Sequence, residues 1–286
     1  EINDWFGSAE TWIEAVVAGL FFYLFIVHTL TAREPLFSRA LFRNRTFNLS
    51  LIATLGVIGA VNASLALSPP MFQDIYGYPV FSTGLLMAPR GIGMMLTTVV
   101  VARVVGRFDL RVLLGAGLVV MAISFWMMAG FAPTMGSGPI IVSGFIQGVA
   151  TTLVWTPISA IAFGALSADL RGQGTTVWNV VRNSGGSSGI SLLQALLTTN
   201  VQVAHSAIAS HMSLDNPQVR QTFHRGLELG FGPATADALN DVINRQASVI
   251  AYIDDFKLLA IALVAMIPLL LFMRPPGGDA GQIIMD

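Results

Sequence analysis

The sequence predicts an all-α membrane protein, and three observations carry that reading. Only 11% of its 286 residues are charged and 54% are hydrophobic, with a mean hydropathy of +0.69, whereas a soluble domain carries about 25% charged residues. Seven segments are mostly apolar over about 20 residues, the length that crosses a bilayer core. Two arginines, Arg90 and Arg182, fall inside such segments. A charge at bilayer depth costs roughly 3 kcal/mol on insertion scales, so it persists only when it faces a bundle interior, a watery cavity or a counter-charge.

The spans are expected at Ala9–Thr31, Phe47–Ser68, Phe81–Ala102, Val112–Ala132, Pro139–Leu166, Thr175–Thr199 and Val249–Met273. The second ends at Pro69-Pro70 and the fifth contains Pro157; neighbouring helices can satisfy the carbonyls these prolines free. Cytoplasmic loops accumulate Lys and Arg. Nine arginines lie on one side: Arg33, Arg39, Arg43 and Arg45 after the first span, Arg103, Arg107 and Arg111 after the third, Arg171 after the fifth, and Arg274 in the tail. The short opposite loops Pro69–Val80 and Pro133–Gly138 hold none. The start of the chain is therefore expected outside and its C-terminus in the cytoplasm. Trp5, Phe6 and Trp12 fit an outer aromatic belt. Segment 33–46 alternates Leu36, Phe37, Leu41 and Phe42 with arginines, as an amphipathic helix on the inner surface would. Residues 201–248 form a polar, partly helical external excursion, and 274–286 a cytoplasmic tail. The chain begins with Glu1 and shows no signal peptide, which reads as a piece of a longer polypeptide.

The motifs bear on function by what they contain and what they omit. Zero cysteines exclude a disulfide framework, a thiolate metal site and a cysteine nucleophile. No phosphate loop, Ser/His/Asp set or metal cluster is evident, so neither enzyme nor cofactor is expected, and the net charge of -1 gives no sign of nucleic acid as a partner. In the sixth span Gly185 and Gly189 share a face that admits another helix closely. Asn179, Arg182 and Gly186, three and four apart, share a face directed at a cavity; the alternative is packing alone, with Arg182 neutralised by backbone carbonyls. In the fifth span Gln147, Thr151 and Trp155 form a polar–aromatic stripe beside a smooth one of Gly144 and Gly148. For Arg90 two readings stay open: substrate contact or gating, and a bridge to Asp74 or Asp254. Asp254 and Asp255 beside Lys257 are either proton carriers or a local ion pair. His28, His205, His211 and His224 have no metal spacing.

The loop Gly106-Arg107-Phe108-Asp109-Leu110-Arg111 resembles the second copy of the major facilitator signature loop. Tyr76-Gly77-Tyr78, Gly84 through Gly91, Gly144 through Gly148, Arg182 through Ser187 and Tyr252 through Phe256 are similar to the fourteen-span drug:proton antiporters of the EmrB/QacA type. The likeness covers nearly the whole chain. It implies a second linker span (residues 1–32) followed by a six-helix C-terminal bundle (47–200 and 249–273), with the second, third, fifth and sixth spans lining a cavity. Asn62 then joins Arg90, Gln147, Thr151, Trp155, Asn179 and Arg182 as cavity candidates, and Gly106, Arg107, Asp109 and Arg111 form a gating loop. The family's loop begins with Asp where Gly106 stands, so this chain lacks that charge at the start of the loop.

The resemblance further implies proton-driven export of amphiphilic small molecules by alternating access in a bacterial inner membrane. Its partners would be an N-terminal half, which would also hold the proton-binding acid, a periplasmic adaptor and an outer-membrane channel. Two other classes fit on paper: a seven-helix receptor or retinal photoprotein using Lys257, and an inactive membrane scaffold.

Overall fold

A computed structural model describes residues 9–31, 37–104, 108–211 and 232–273. Within them every regular element is helical: α1 (Ala9–Thr31), α2 (Arg39–Arg43), α3 (Arg45–Pro70), α4 (Val80–Val104), α5 (Leu110–Met128), α6 (Gly138–Gly164), α7 (Ala168–His211) and α8 (Gly232–Met266). Six of these are long and apolar enough to cross a membrane. The protein is a multi-pass, all-α membrane protein.

Side-chain caps set several boundaries. Ser38 Oγ accepts from Ala40 N at 3.2 Å and starts α2, while Asn44 Oδ1 accepts from Phe47 N at 3.1 Å and starts α3. Such caps satisfy amides that the first helical turn leaves without partners. Of the amphipathic segment 33–46, the described part is this short helix, with Leu41 fully buried. Pro69 and Pro70 do not end α3 at once. The backbone widens into a π-helical turn over Met71–Ile75, then reverses at Gly77, whose φ of +70 is the left-handed conformation glycine tolerates.

α6 packs against α4, α5 and α3; α7 packs against α3 and α8; and α5 closes the set against α8. The core runs from Phe47 and Val57 on α3 through Leu118, Met121 and Phe125 on α5 and Ile158 and Ile161 on α6 to Phe256 and Leu263 on α8. On α1 the described apolar side chains, Trp12, Leu20 and Phe21 among them, are largely exposed, as suits a helix facing lipid.

α7 departs from the expected sixth span. It has 44 residues, about 66 Å at 1.5 Å per residue, and so outruns a bilayer core of about 30 Å. It is also too polar to qualify as a span by apolarity, because Asn179, Arg182, Asn183 and the run from Ser184 to Gly189 occupy its centre. The described parts of the expected excursion, 201–211 and 232–248, are continuous with α7 and α8. Residues 212–231 and the tail lie outside the described residues.

Glycines decide how closely the helices cross. A Cβ at Gly189 would fall on the Cα of Gly59, and one at Gly59 would come within 3.1 Å of the Gly185 carbonyl. α3 and α7 therefore meet backbone to backbone. α4 and α6 do the same where Gly148 lies against the Arg90 carbonyl and Gly93 against that of Phe145. Gly144, expected to pack, has nothing within 4 Å of the place a Cβ would take. Gly189→Leu is expected to cost the full-length protein about 1–3 kcal/mol, the range for overpacking, while Gly144→Ala leaves stability nearly unchanged. Thermal unfolding of the purified protein compares the two.

Candidate functional site

The close crossing of α3 and α7 sets the polar centre of α7 beside a cavity of about 580 Å³. Ile58 and Asn62 line it from α3, Met94 from α4, Thr151 and Trp155 from α6, and Arg182, Asn183, Gly186, Ser187 and Ile190 from α7. Neither α5 nor α8 contributes. Its size falls within the range of small-molecule pockets, about 300–1,000 Å³.

Arg182 is held by an aromatic face. Its Cζ lies 5.5 Å from the centre of the Trp155 ring, within the roughly 6 Å over which a ring quadrupole attracts a cation. Trp155 in turn leans on Trp178, centroids 6.1 Å apart, and Trp178 on Phe163 at 5.5 Å. No carboxylate pairs with Arg182 among the described residues. The cavity thus carries a cation on one wall, amides and hydroxyls from Asn62, Asn183, Thr151 and Ser187, and an apolar remainder from Ile58, Met94 and Ile190. That combination suits a molecule with one polar or anionic end and one apolar end.

The other candidates divide by location. Gln147 is 1% exposed, and its Nε2 donates to Ser64 Oγ at 2.8 Å. It ties α6 to α3 instead of facing the cavity. Thr151 Oγ1 donates to the Gln147 carbonyl at 2.7 Å. Asn179 is exposed and away from the lining. Arg90 is 8% exposed; it forms no ion pair among the described residues, so the bridge to Asp74 or Asp254 is absent there. Asp254 pairs with Lys257 at 3.0 Å, both side chains about half exposed. That leaves Lys257 on the surface, where a retinal Schiff base would have no pocket.

Asp255 behaves differently from Asp254: it is fully buried, and Asn200 Nδ2 donates to its Oδ1 at 3.1 Å. At the signature loop Asp109 caps α5, its Oδ1 accepting from Arg111 N at 2.9 Å; Gly106 and Arg107 lie outside the described residues. His28, a lone imidazole, sits in the last turn of α1. His205 Nε2 lies 3.2 Å from Asn240 Oδ1, joining α7 to α8, while His211 and His224 offer no described side chain.

Sequence reasoning missed Asn183, Ser187 and Ile190. They repeat at four and three residues, one step round the helix from the stripe through Arg182, so spacing alone presents two polar faces without ranking them. Ser64 and Asn200 were missed because each matters only through a partner distant in the chain. A double-mutant cycle on Arg182→Ala and Trp155→Ala is expected to show coupling of about 1 kcal/mol in unfolding free energy; additive effects would mean that the two side chains do not interact.

Comparison with known proteins follows the same outline. Residues 4–190 match the Major Facilitator Superfamily. The chain is 26% identical to the multidrug export protein EmrB of Haemophilus influenzae over 278 residues, 96% of this chain and 54% of that protein. It is 26% identical to EmrB of Escherichia coli over 280 residues, 97% and 55%, and 25% identical to the fatty acid resistance protein FarB of Neisseria gonorrhoeae over 279 residues, 97% and 55%. The chain spans about half the length of the curated relatives it matches. A polar helix held between α3 and α8, a cavity lined by four of the helices and a family match over most of the sequence agree: this chain belongs to the Major Facilitator Superfamily.

Proposed function

We propose that the chain is the cavity-bearing C-terminal half of a secondary transporter that exports amphiphilic small molecules in exchange for protons. The single observation that carries this is the cavity with Arg182 stacked on Trp155. An arginine at the centre of a membrane-bundle helix, with no carboxylate partner among the described residues, is costly unless the charge serves the pathway. The relatives named as multidrug export proteins support the transport class, and they are about twice as long as this chain. The remaining half then closes the cavity from the other side, with binding near the midplane between the two.

In this reading the two halves rock about the bound molecule. The glycine crossings of α3 with α7 and of α4 with α6 keep each helix pair rigid while the pairs move relative to the other half. Arg182 attracts the polar or anionic end of the cargo, Trp155 stacks on its apolar body, and Asn62 and Asn183 accept or donate at its polar atoms. The proton gradient is the energy source and no bound cofactor is needed. The arginine-rich end of the bundle faces the cytoplasm in a bacterial inner membrane. The extensions of α7 and α8 beyond the core reach the opposite side, where they form the docking surface for a periplasmic adaptor that leads to an outer-membrane channel.

The full-length protein in proteoliposomes is expected to move an amphiphilic dye against its gradient when a proton gradient is imposed, and to stop when an ionophore collapses it. Arg182→Ala removes about 1–2 kcal/mol of attraction, so about a tenfold rise in half-saturating concentration is expected at normal abundance. Flux that ignores the proton gradient, or an Arg182→Ala protein indistinguishable from the parent, contradicts the proposal.

A further inference from the structure

Asp254 and Asp255 are adjacent in sequence and opposite in environment. Asp254 holds Lys257 at the surface, whereas Asp255 is fully buried between α8 and α7. Asn200 satisfies its Oδ1, and among the described residues its Oδ2 has no hydrogen-bond partner. Burying an ionised carboxylate is costly unless it is paired and its oxygens are satisfied. One neutral amide donor on one oxygen does not meet that requirement.

The described groups around it supply no partner cation. On α8 Lys257 is taken by Asp254, and Arg245 points its guanidinium to the Ile75 carbonyl. Tyr252, also on α8, is within electrostatic reach of Asp255 and of Asp74 on the π-helical turn. Tyr76, just beyond that turn, has its hydroxyl pushed up to about 12 by burial and by Tyr78, so it stays neutral. α7 brings Asn200 and, further out, His205, which faces Asn240. α5 brings Phe125, stacked 6.5 Å from Phe256, and the titratable side chains of α5 and α3, Arg111 and Arg45, belong to the arginine-rich end. Asp255 thus has no ion-pair partner among the described residues.

We propose that Asp255 is a proton-binding residue whose occupancy is tied to the closure of α7 on α8. With the joint closed, Oδ2 carries the proton. When the helices part and water enters, the O–H bond breaks, water takes the proton as hydronium, and the carboxylate left behind is solvated. Closure and proton binding then favour each other, because each ligand-linked state stabilises the other by the same free energy. Closure is favoured as pH falls and lost as pH rises through the titration of the closed form. Asn200 lies about 27 Å beyond Arg182 along α7 at 1.5 Å per residue, so this site is separate from the cavity. It adds a proton site in this half to the transport reading above and is tested without measuring transport.

The experiment uses the full-length protein in nanodiscs. Infrared difference spectra between acid and alkaline pH are expected to show a protonated carboxyl band that disappears in Asp255→Asn and persists in Asp254→Asn. Asp255→Asn keeps the shape of the neutral acid and should fold. Spin labels at the exposed positions Val203 and Ile250 are expected to report a pH-dependent α7–α8 distance in the parent and a pH-independent one in Asp255→Asn. Should that variant misfold, Asn200→Ala serves instead, altering the frequency of the Asp255 band. A band unchanged in Asp255→Asn, or unmoved in Asn200→Ala, overturns the proposal, as does an α7–α8 distance that ignores pH in the parent. Absence of proton-driven dye export by the parent protein, with the Asp255 band present, would sink the transport reading and leave this one standing.

Discussion

The backbone contact between α3 and α7 at Gly59, Gly185 and Gly189 is the constraint on which the rest of the bundle depends. α7 carries too many polar groups to lie against lipid, and its glycine stripe is the part of its surface that another helix can cover most closely. Docking that stripe on α3 fixes the rotation of α7. Once the rotation is fixed, Arg182 and Asn183 must face the space between α3 and α6, where Trp155 waits from α6. Larger residues at the crossing would separate the helices and turn the guanidinium away from its ring. A packing motif and a charge thus solve one problem together, since the glycines bury the helix while the tryptophan and the cavity accommodate its arginine.

Two groups of polar residues in this bundle do different things. Gln147, Ser64, Ser124 and Ser143 are buried and matched: Gln147 to Ser64, and Ser124 Oγ to the Ser143 carbonyl at 2.9 Å. They join helices whose apolar surfaces alone would slide in lipid. Asn62, Asn183, Ser187 and Arg182 are arrayed around open space. The first kind makes the bundle rigid and the second gives it something to bind. Asp254 is matched at the surface, whereas Asp255 is buried with one oxygen that no described residue bonds.

The fold was largely legible in the sequence, because a bilayer leaves few solutions for a chain this apolar. Arg182 was legible as a residue that turns toward a cavity for the same reason, since its cost in hydrocarbon is too high to be incidental. Ser187 and Asn183 were not, because helical periodicity gives the angular spacing of residues but not which angle a neighbour covers. Gln147 misled for a related reason: a glutamine at the centre of a span reads equally as cavity lining and as interhelical tie until Ser64 is seen opposite it. The length of α7 was also hidden. Polar residues after Thr199 end the hydropathy signal without ending the helix, which continues because its outer turns pack against α8.

The central claim is that the face of α7 holding Arg182 borders a water-accessible binding cavity, and the absence of cysteine from this chain makes that directly measurable. In a full-length protein freed of cysteine elsewhere, Ser187→Cys would be exposed to a membrane-impermeant maleimide with and without an amphiphilic dye that the protein exports, beside Leu258→Cys as a control on the outside of the bundle. The account predicts that Ser187→Cys reacts from the aqueous side and that the dye slows its labelling, with no dye effect at Leu258→Cys. Failure of Ser187→Cys to react from either side, or labelling that the dye leaves unchanged, would contradict it.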